Sequence, residues 1–266
     1  MHRLGINQGG YHGDPLDVEA LLACFTAEAQ ARNWRVRMLP VEDGRSILTA
    51  HRSAMAGTVN PLRFYLSAGI HGDEPAGPLA LLDLLRADQL APDAEFWVCP
   101  CLNRLGLAWN QRCNPDGIDL NRDYNHLASP EVSAHVQWLS SLPRLDLAIL
   151  LHEDWESAGF YLYELNPDQA PDIATRIIRD VSRNCPIETA TEIDGRPSDG
   201  SGILRPPVDP NARPDWPEAF WLLQNRCRRS LTLEAPSDFP LALRVASLST
   251  AVQTALAGFS TGPGIR

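Results

Sequence analysis

The stretch LRFYLSAGIHGDEPAG, Leu62 to Gly77, ends an apolar run on an imidazole and a carboxylate three residues apart, His71 and Glu74. Three residues apart in a helical turn, two side chains point the same way. Imidazole nitrogen with carboxylate oxygen makes a good zinc pair, and Gly69 and Gly72 let the backbone turn sharply and leave room. The same residues would also serve a plain helix start, because Asp73 and Glu74 near an N-terminus favour the helix dipole. A catalytic zinc wants three protein ligands and one open position. His152, which closes the apolar run DLAILL from Asp146, is the candidate third ligand. By itself it reads equally as a hydrogen-bonded core histidine. Asp154 would share its strand face and could orient a ligand from behind, whereas Glu153 would point to the opposite face.

Two more groups carry chemistry. Glu234 in SLTLEAPS is a carboxylate at the end of an apolar run. Partial burial there would raise its pKa toward the range of a general base, although an arginine partner would account for it too. The turn-rich segment NQRCNPDGIDLNRDYN holds Arg112, Asn121 and Arg122. Guanidiniums beside a metal can clamp an anion through paired hydrogen bonds or hold a developing oxyanion. On an acidic protein they can equally make surface salt bridges.

The elements that must position these residues follow from periodicity. Helical spacing marks Asp17–Trp34, Pro75–Leu90, Ser129–Leu142, Asp172–Asn184 and Pro240–Phe259. Strands are expected at Arg35–Leu39, Leu62–Ile70, Glu95–Leu102, Asp146–Leu151, Phe160–Leu165 and Ser230–Leu233. Strands alternate with helices and several are apolar on both faces. The expected fold is therefore α/β, a three-layer α/β/α sandwich with a mixed, largely parallel central sheet. In such sheets ligands gather at the carboxyl ends of strands, where His71, Glu74, His152 and Glu234 fall. The proline-rich run Arg205–Pro217 is the one long irregular segment and reads as a functional loop rather than a linker.

A length of 266 residues suits one domain, residues 1–266. The net charge of -10 argues against nucleic acid or an anionic membrane as partner, while leaving room for a locally basic site. No segment approaches the length of apolar run a membrane span needs. The N-terminal stretch MHRLGINQGGYHGD shows no export signal. Six scattered cysteines without a CxxC pair read as free, mostly buried thiols in a reducing cytoplasm. Cys99 and Cys101 should share one strand face, a weak metal signal.

Taken in order, GIHGDE, RCNPDGIDLNRDYN, LLHED and TLEAPS resemble the zinc carboxypeptidase superfamily, the M14 metallopeptidases. That group includes bacterial murein-peptide amidases, and succinylglutamate desuccinylase and aspartoacylase are deacylase relatives. The resemblance runs from about Leu62 to Pro236, and the short span from Arg112 to Asn121 is most similar to the small bacterial amidase branch. It implies one zinc per chain on His71, Glu74 and His152. Arg112 would polarise the scissile carbonyl, Asn121 and Arg122 would hold the substrate's terminal carboxylate, and Glu234 would be the base. The implied activity is hydrolysis of an amide bond next to a free carboxylate in a small peptide. An N-acyl amino acid deacylase with an acylated amino acid as substrate is the alternative, and an inactive zinc-containing binding protein a remote one. One element departs from the pattern: digestive-type carboxypeptidases carry a mobile tyrosine shortly before the catalytic glutamate, and here no tyrosine follows Tyr163.

Overall fold

Apolar runs that end on polar residues become, in the computed structural model, neighbouring strands of one sheet. The structure describes residues 3–6, 12, 13 and 15–260. Most of the N-terminal stretch read above for an export signal lies outside them. In chain order the elements are α1 (Val18–Ala31), β1 (Arg35–Pro40), β2 (Ser46–Arg52), β3 (Arg63–Ala68), α2 (Ala76–Arg86), β4 (Glu95–Cys101), α3 (Arg104–Trp109), α4 (Pro130–Ser141), β5 (Leu147–Asp154), β6 (Tyr161–Leu165), α5 (Ala174–Val181), β7 (Glu192–Ile193), β8 (Arg196–Pro197), β9 (Ile203–Leu204), α6 (Glu218–Asn225), β10 (Ser230–Pro236) and α7 (Leu241–Ser260).

Eight strands form one sheet in the order β1-β2-β4-β3-β5-β10-β6-β9. The four middle strands β4, β3, β5 and β10 run parallel to one another. β1 and β2 pair antiparallel on one flank, and on the other β6 pairs antiparallel with β10 and parallel with the edge strand β9. The sheet is mixed and largely parallel, as expected. Two apolar clusters cover its faces. One joins the odd-numbered residues of β5 and β10 to α1, α2, α5 and α7, and the other packs α4 and α6 against Ala148 and Leu150. The three-layer reading therefore holds. Among the described residues no helix is long and apolar enough to cross a membrane.

The elements β2, α3, β7, β8, β9 and α6 escape the periodicity. β2 flanks its apolar centre with Ser46, His51 and Arg52, as a strand near an edge does, and it pairs antiparallel with β4. The irregular run ending at Pro217 gives way to α6, with proline just ahead of its first residue. One expectation is corrected. A β-bulge sets residues 98–101 of β4 against residues 48–50 of β2. Pro100 sits inside it, where a residue without an N–H disturbs the ladder least. The extra residue turns Cys99 and Cys101 to opposite faces, each in a different apolar cluster, so they cannot share a ligand. All six thiols are free, and four of them are buried.

Candidate active site

β3 ends at Ala68, and Gly69 follows with φ +61°, a left-handed conformation that turns the chain out of the strand. Gly72 then passes so close to α3 that a Cβ there would lie 2.0 Å from the carbonyl carbon of Gly106. Its N–H donates to the Arg112 carbonyl at 3.3 Å, tying the His71 turn to the loop that carries Arg112. His71 and Glu74 therefore lie in a tight turn ahead of α2 and not in the helix itself.

His71 Nδ1 is 2.6 Å from Glu74 Oε1, and His152 Nδ1 is 3.0 Å from Glu74 Oε2. All three residues are buried, and their ligand atoms lie within 4.8 Å of one another. Although His152 comes within ion-pair distance of Glu74 Oε2, it does so outside hydrogen-bond geometry, and that oxygen has no hydrogen-bond partner. A buried carboxylate oxygen left without a donor is costly, and two imidazole nitrogens turned toward the same carboxylate are the donor set a divalent transition metal takes. The residues fit a metal. Burial opposes charge on both His71 and Glu74. Mutual attraction outweighs it, holding His71 above its ordinary value and, with help from His152, Glu74 well below the usual carboxylate range.

Asp119, which the sequence reading passed over, holds the far side of His71. Its Oδ1 is 3.1 Å from His71 Nε2 and its Oδ2 accepts from Arg112 at 3.0–3.1 Å. Burial opposes its charge, but His71 and Arg112 keep it well below the carboxylate range. This is the orienting partner that a histidine ligand needs. Asp154 does not fill that place. It accepts from Tyr161 Oη at 3.0 Å and from the Glu156 N–H at 2.8 Å. Only its position in a turn between two motif residues could have marked Asp119. Glu153 points to the opposite face, as expected, where it pairs with Arg244 of α7 and accepts from the Ala76 N–H at 2.6 Å. Removing either partner of such a buried pair costs about 3–5 kcal/mol, so this tether fixes α2 and α7 beneath the end of β5.

Glu234 stands beside His152 in the register of β10 and β5 and opposite Tyr161 of β6. It reaches the pocket, yet protein atoms crowd it. Burial first, and then the charges of Glu74 and Asp154, raise it well above the ordinary carboxylate range, against the pull of His152. His71, Glu74, His152, Glu234, Arg112 and Arg122 all line one pocket of about 530 Å³, with Asn121 beside them. Thus the structure brings together the residues read from the sequence as ligands, base and anion clamp, His71, Glu74, His152, Glu234, Arg112, Asn121 and Arg122.

The same pocket holds cations that the sequence did not reveal. A two-residue turn, Asp194-Gly195, with φ +50° and +64°, closes the small hairpin β7–β8. It lays Asp194 against Tyr163 Oη at 2.6 Å and brings Arg196 to the pocket wall. Arg213, from the irregular run, stacks over Phe220 at 5.2 Å. Its guanidinium is lowered first by burial and then by the neighbouring Arg196 and Arg122, while Tyr163 and Asp194 pull the other way. Three guanidiniums thus crowd one wall.

Residues 61–196 match the family model of the succinylglutamate desuccinylase/aspartoacylase catalytic domain. Carboxypeptidase 2 of Trichophyton rubrum is 35% identical over 103 residues, 33% of this chain and 19% of its own, so the chain matches only about a fifth of that relative's length. A candidate metallopeptidase from Shewanella denitrificans shares the fold, with a TM-score of 0.77 at 22% identity over 91% of this chain and 90% of its own. The metallo-carboxypeptidase from Pseudomonas aeruginosa, solved with (2-guanidinoethylmercapto)succinic acid, superposes with a TM-score of 0.68 at 17% identity, covering 92% of this chain and 70% of its own.

Proposed function

The chain belongs to the succinylglutamate desuccinylase/aspartoacylase catalytic domain family, and on that premise we propose that it is a zinc-dependent hydrolase cleaving an amide bond adjacent to a free carboxylate. The observation that carries the reading is one pocket holding the buried His71–Glu74–His152 set, Glu234 and the guanidiniums of Arg112 and Arg122. His71, Glu74 and His152 would hold one zinc, which supplies Lewis acidity and makes a water molecule more acidic.

The remaining roles belong to side chains. Glu234 takes a proton from the attacking water on a carboxylate oxygen and passes it to the leaving nitrogen. Its raised affinity for protons strengthens it as the base in the first half of that task. Arg112 donates to the carbonyl oxygen as that atom gains charge. Asp119 holds both Arg112 and His71, so the two cannot drift apart. Arg122 and Asn121 hold the terminal carboxylate, with the Arg122 guanidinium forming two parallel hydrogen bonds. The substrate is a small peptide or an acylated amino acid.

One observation favours the deacylase form of this reaction. Arg122 suffices for a single carboxylate, but Arg196 and Arg213 add two more guanidiniums to the same wall. An acylated amino acid with a second carboxylate would match them. The test is a panel of alanyl-alanine, alanyl-glutamate, N-acetyl-aspartate and N-succinyl-glutamate, each beside its α-amide, with the zinc-loaded protein. Hydrolysis of free acids and not of the amides is expected. Equal rates on acid and amide would remove the clamp and the reading with it.

A further inference from the structure

The helix α6 begins at Glu218, a carboxylate 1% exposed that belongs to none of the motifs above. Both of its oxygens are engaged. Tyr65 Oη donates to Oε1 at 2.6 Å and Ser67 Oγ donates to Oε2 at 2.9 Å. Tyr65 and Ser67 alternate on β3, so their side chains share a face, and through them Glu218 fastens the start of α6 to the strand that ends at the His71 turn.

The network continues inward. His135 of α4 meets Tyr65 Oη through Nε2 at 2.9 Å and Tyr124 Oη through Nδ1 at 2.7 Å. With Tyr65 donating to Glu218, one tautomer satisfies every member: Nε2–H donates to Tyr65 and Nδ1 accepts from Tyr124. Burial keeps His135 neutral by pushing its pKa down to about 3.

The outer end reaches the pocket. The backbone N–H of Glu218 donates to Asn121 Oδ1 at 2.9 Å in a buried contact. A backbone N–H can only donate, so it fixes which way round the Asn121 amide stands, with oxygen toward α6 and nitrogen free for another partner. The distinction decides binding. An asparagine turned the other way would present its oxygen to an incoming carboxylate, and two acceptors repel.

We propose that Glu218 is a positioning residue: its side chain anchors the first turn of α6 to Tyr65 and Ser67, and the N–H so placed orients Asn121 with its NH₂ toward the substrate's carboxylate. This rests on the reading of Asn121 and Arg122 as the carboxylate clamp. Glu218 touches neither the substrate nor the reacting atoms, so its loss acts on substrate binding and leaves the chemical step alone.

The experiment is a double-mutant cycle of Asn121→Ala and Glu218→Ala, with kcat and KM measured on the best free acid of the panel above. Each single variant should raise KM by roughly tenfold, the equivalent of one hydrogen bond, with kcat within about threefold of the parent and zinc content unchanged. The double variant should match Asn121→Ala alone, because both substitutions remove the same contact. Glu218→Gln should rescue KM, since a glutamine can accept from Tyr65 and donate to Ser67. Should Glu218→Ala fold poorly, Tyr65→Phe removes one anchor while keeping the ring, and it should show the same KM effect in smaller measure. Effects that multiply in the double variant, or a parental KM in both Glu218→Ala and Tyr65→Phe, overturn the proposal. Failure of the clamp itself looks different: Asn121→Ala alone would leave KM unchanged, or no free acid of the panel would be cleaved, and the positioning role would fall with it.

Discussion

His152 and Glu234 are register partners across the parallel strands β5 and β10, His152 after the buried apolar run of β5 and Glu234 after the alternating Ser-Leu-Thr-Leu of β10. Strand pairing, with no loop involved, therefore sets the distance between the candidate ligand and the candidate base. β3 lies on the other side of β5, so His71, His152 and Glu234 arise at the ends of three adjacent strands. The His152–Glu234 spacing should survive loop variation and fail when either strand end is disturbed.

The first consequence concerns metal content. The purified protein is expected to carry close to one zinc per chain, and His71→Ala or His152→Ala should release it, since either leaves only two ligands. Elemental analysis after dialysis decides the matter, and full zinc occupancy in both variants would place the metal elsewhere.

Replacing Glu234 by Gln should leave fold and zinc intact and reduce turnover by roughly 10²–10⁴-fold, the usual cost of a lost general base. The amide keeps the shape but cannot accept the proton. Single-turnover kinetics on the zinc-loaded variant is the measurement, and a parental rate would make Glu234 a structural carboxylate.

The crowded guanidiniums give a substrate prediction. Arg213→Ala should weaken binding of N-succinyl-glutamate by roughly tenfold or more, the equivalent of a charge-assisted hydrogen bond, and leave alanyl-alanine nearly unchanged. Arg122→Lys should raise KM for both, because lysine cannot reproduce the two-pronged geometry. Equal losses on the two substrates in Arg213→Ala would assign that residue to folding instead of selectivity.

Stability should depend on pH through His135. Its folded pKa is pushed down to about 3 by burial, from an ordinary 6.5, so the unfolded chain binds the extra proton between those values. The contribution is complete above about pH 6.5 and is lost as pH falls toward 3. Glu218, raised to about 7 from 4.5 chiefly by burial, acts with the opposite sign between pH 4.5 and 7. Comparing urea unfolding of the parent with that of His135→Gln cancels most of the Glu218 effect. The parent's advantage should grow by a few kcal/mol from pH 4 to pH 6.5, as about 1.4 kcal/mol per unit requires. A difference independent of pH would contradict a neutral buried imidazole.

The sequence revealed the site more readily than the parts around it. His71, His152 and Glu234 stand out because each follows a strand-like run, with Glu74 three residues behind His71, and a polar residue at a strand's carboxyl end has few structural reasons to be there. Asp119, Arg196 and Arg213 carry no such mark. They are ordinary polar residues in turns, and only the folding back of the β7–β8 hairpin and the proline-rich run brings two of them to the pocket. β2 stayed hidden because polar residues flank its apolar centre, and α6 because prolines precede it. The opposed faces of Cys99 and Cys101 follow from a bulge that strict alternation cannot foresee. Glu218 falls in no motif, and its importance appears only when β3 and the Asn121 loop meet it.

The sheet divides its labour unevenly. None of the residues lining the pocket lies on β1, β2 or β4, which form one flank, whereas β5, β6 and β10 all contribute. β1 runs along the outer margin of that idle flank with much of its surface in water. A covalent tether placed there, for instance on the exposed Met38 replaced by cysteine, would hold the molecule on a solid support without touching a residue that lines the pocket. Exchange of the β7–β8 hairpin, a separate two-stranded sheet that carries Arg196 to the pocket, could then proceed on the immobilised scaffold, because the tethered strand lines none of that pocket.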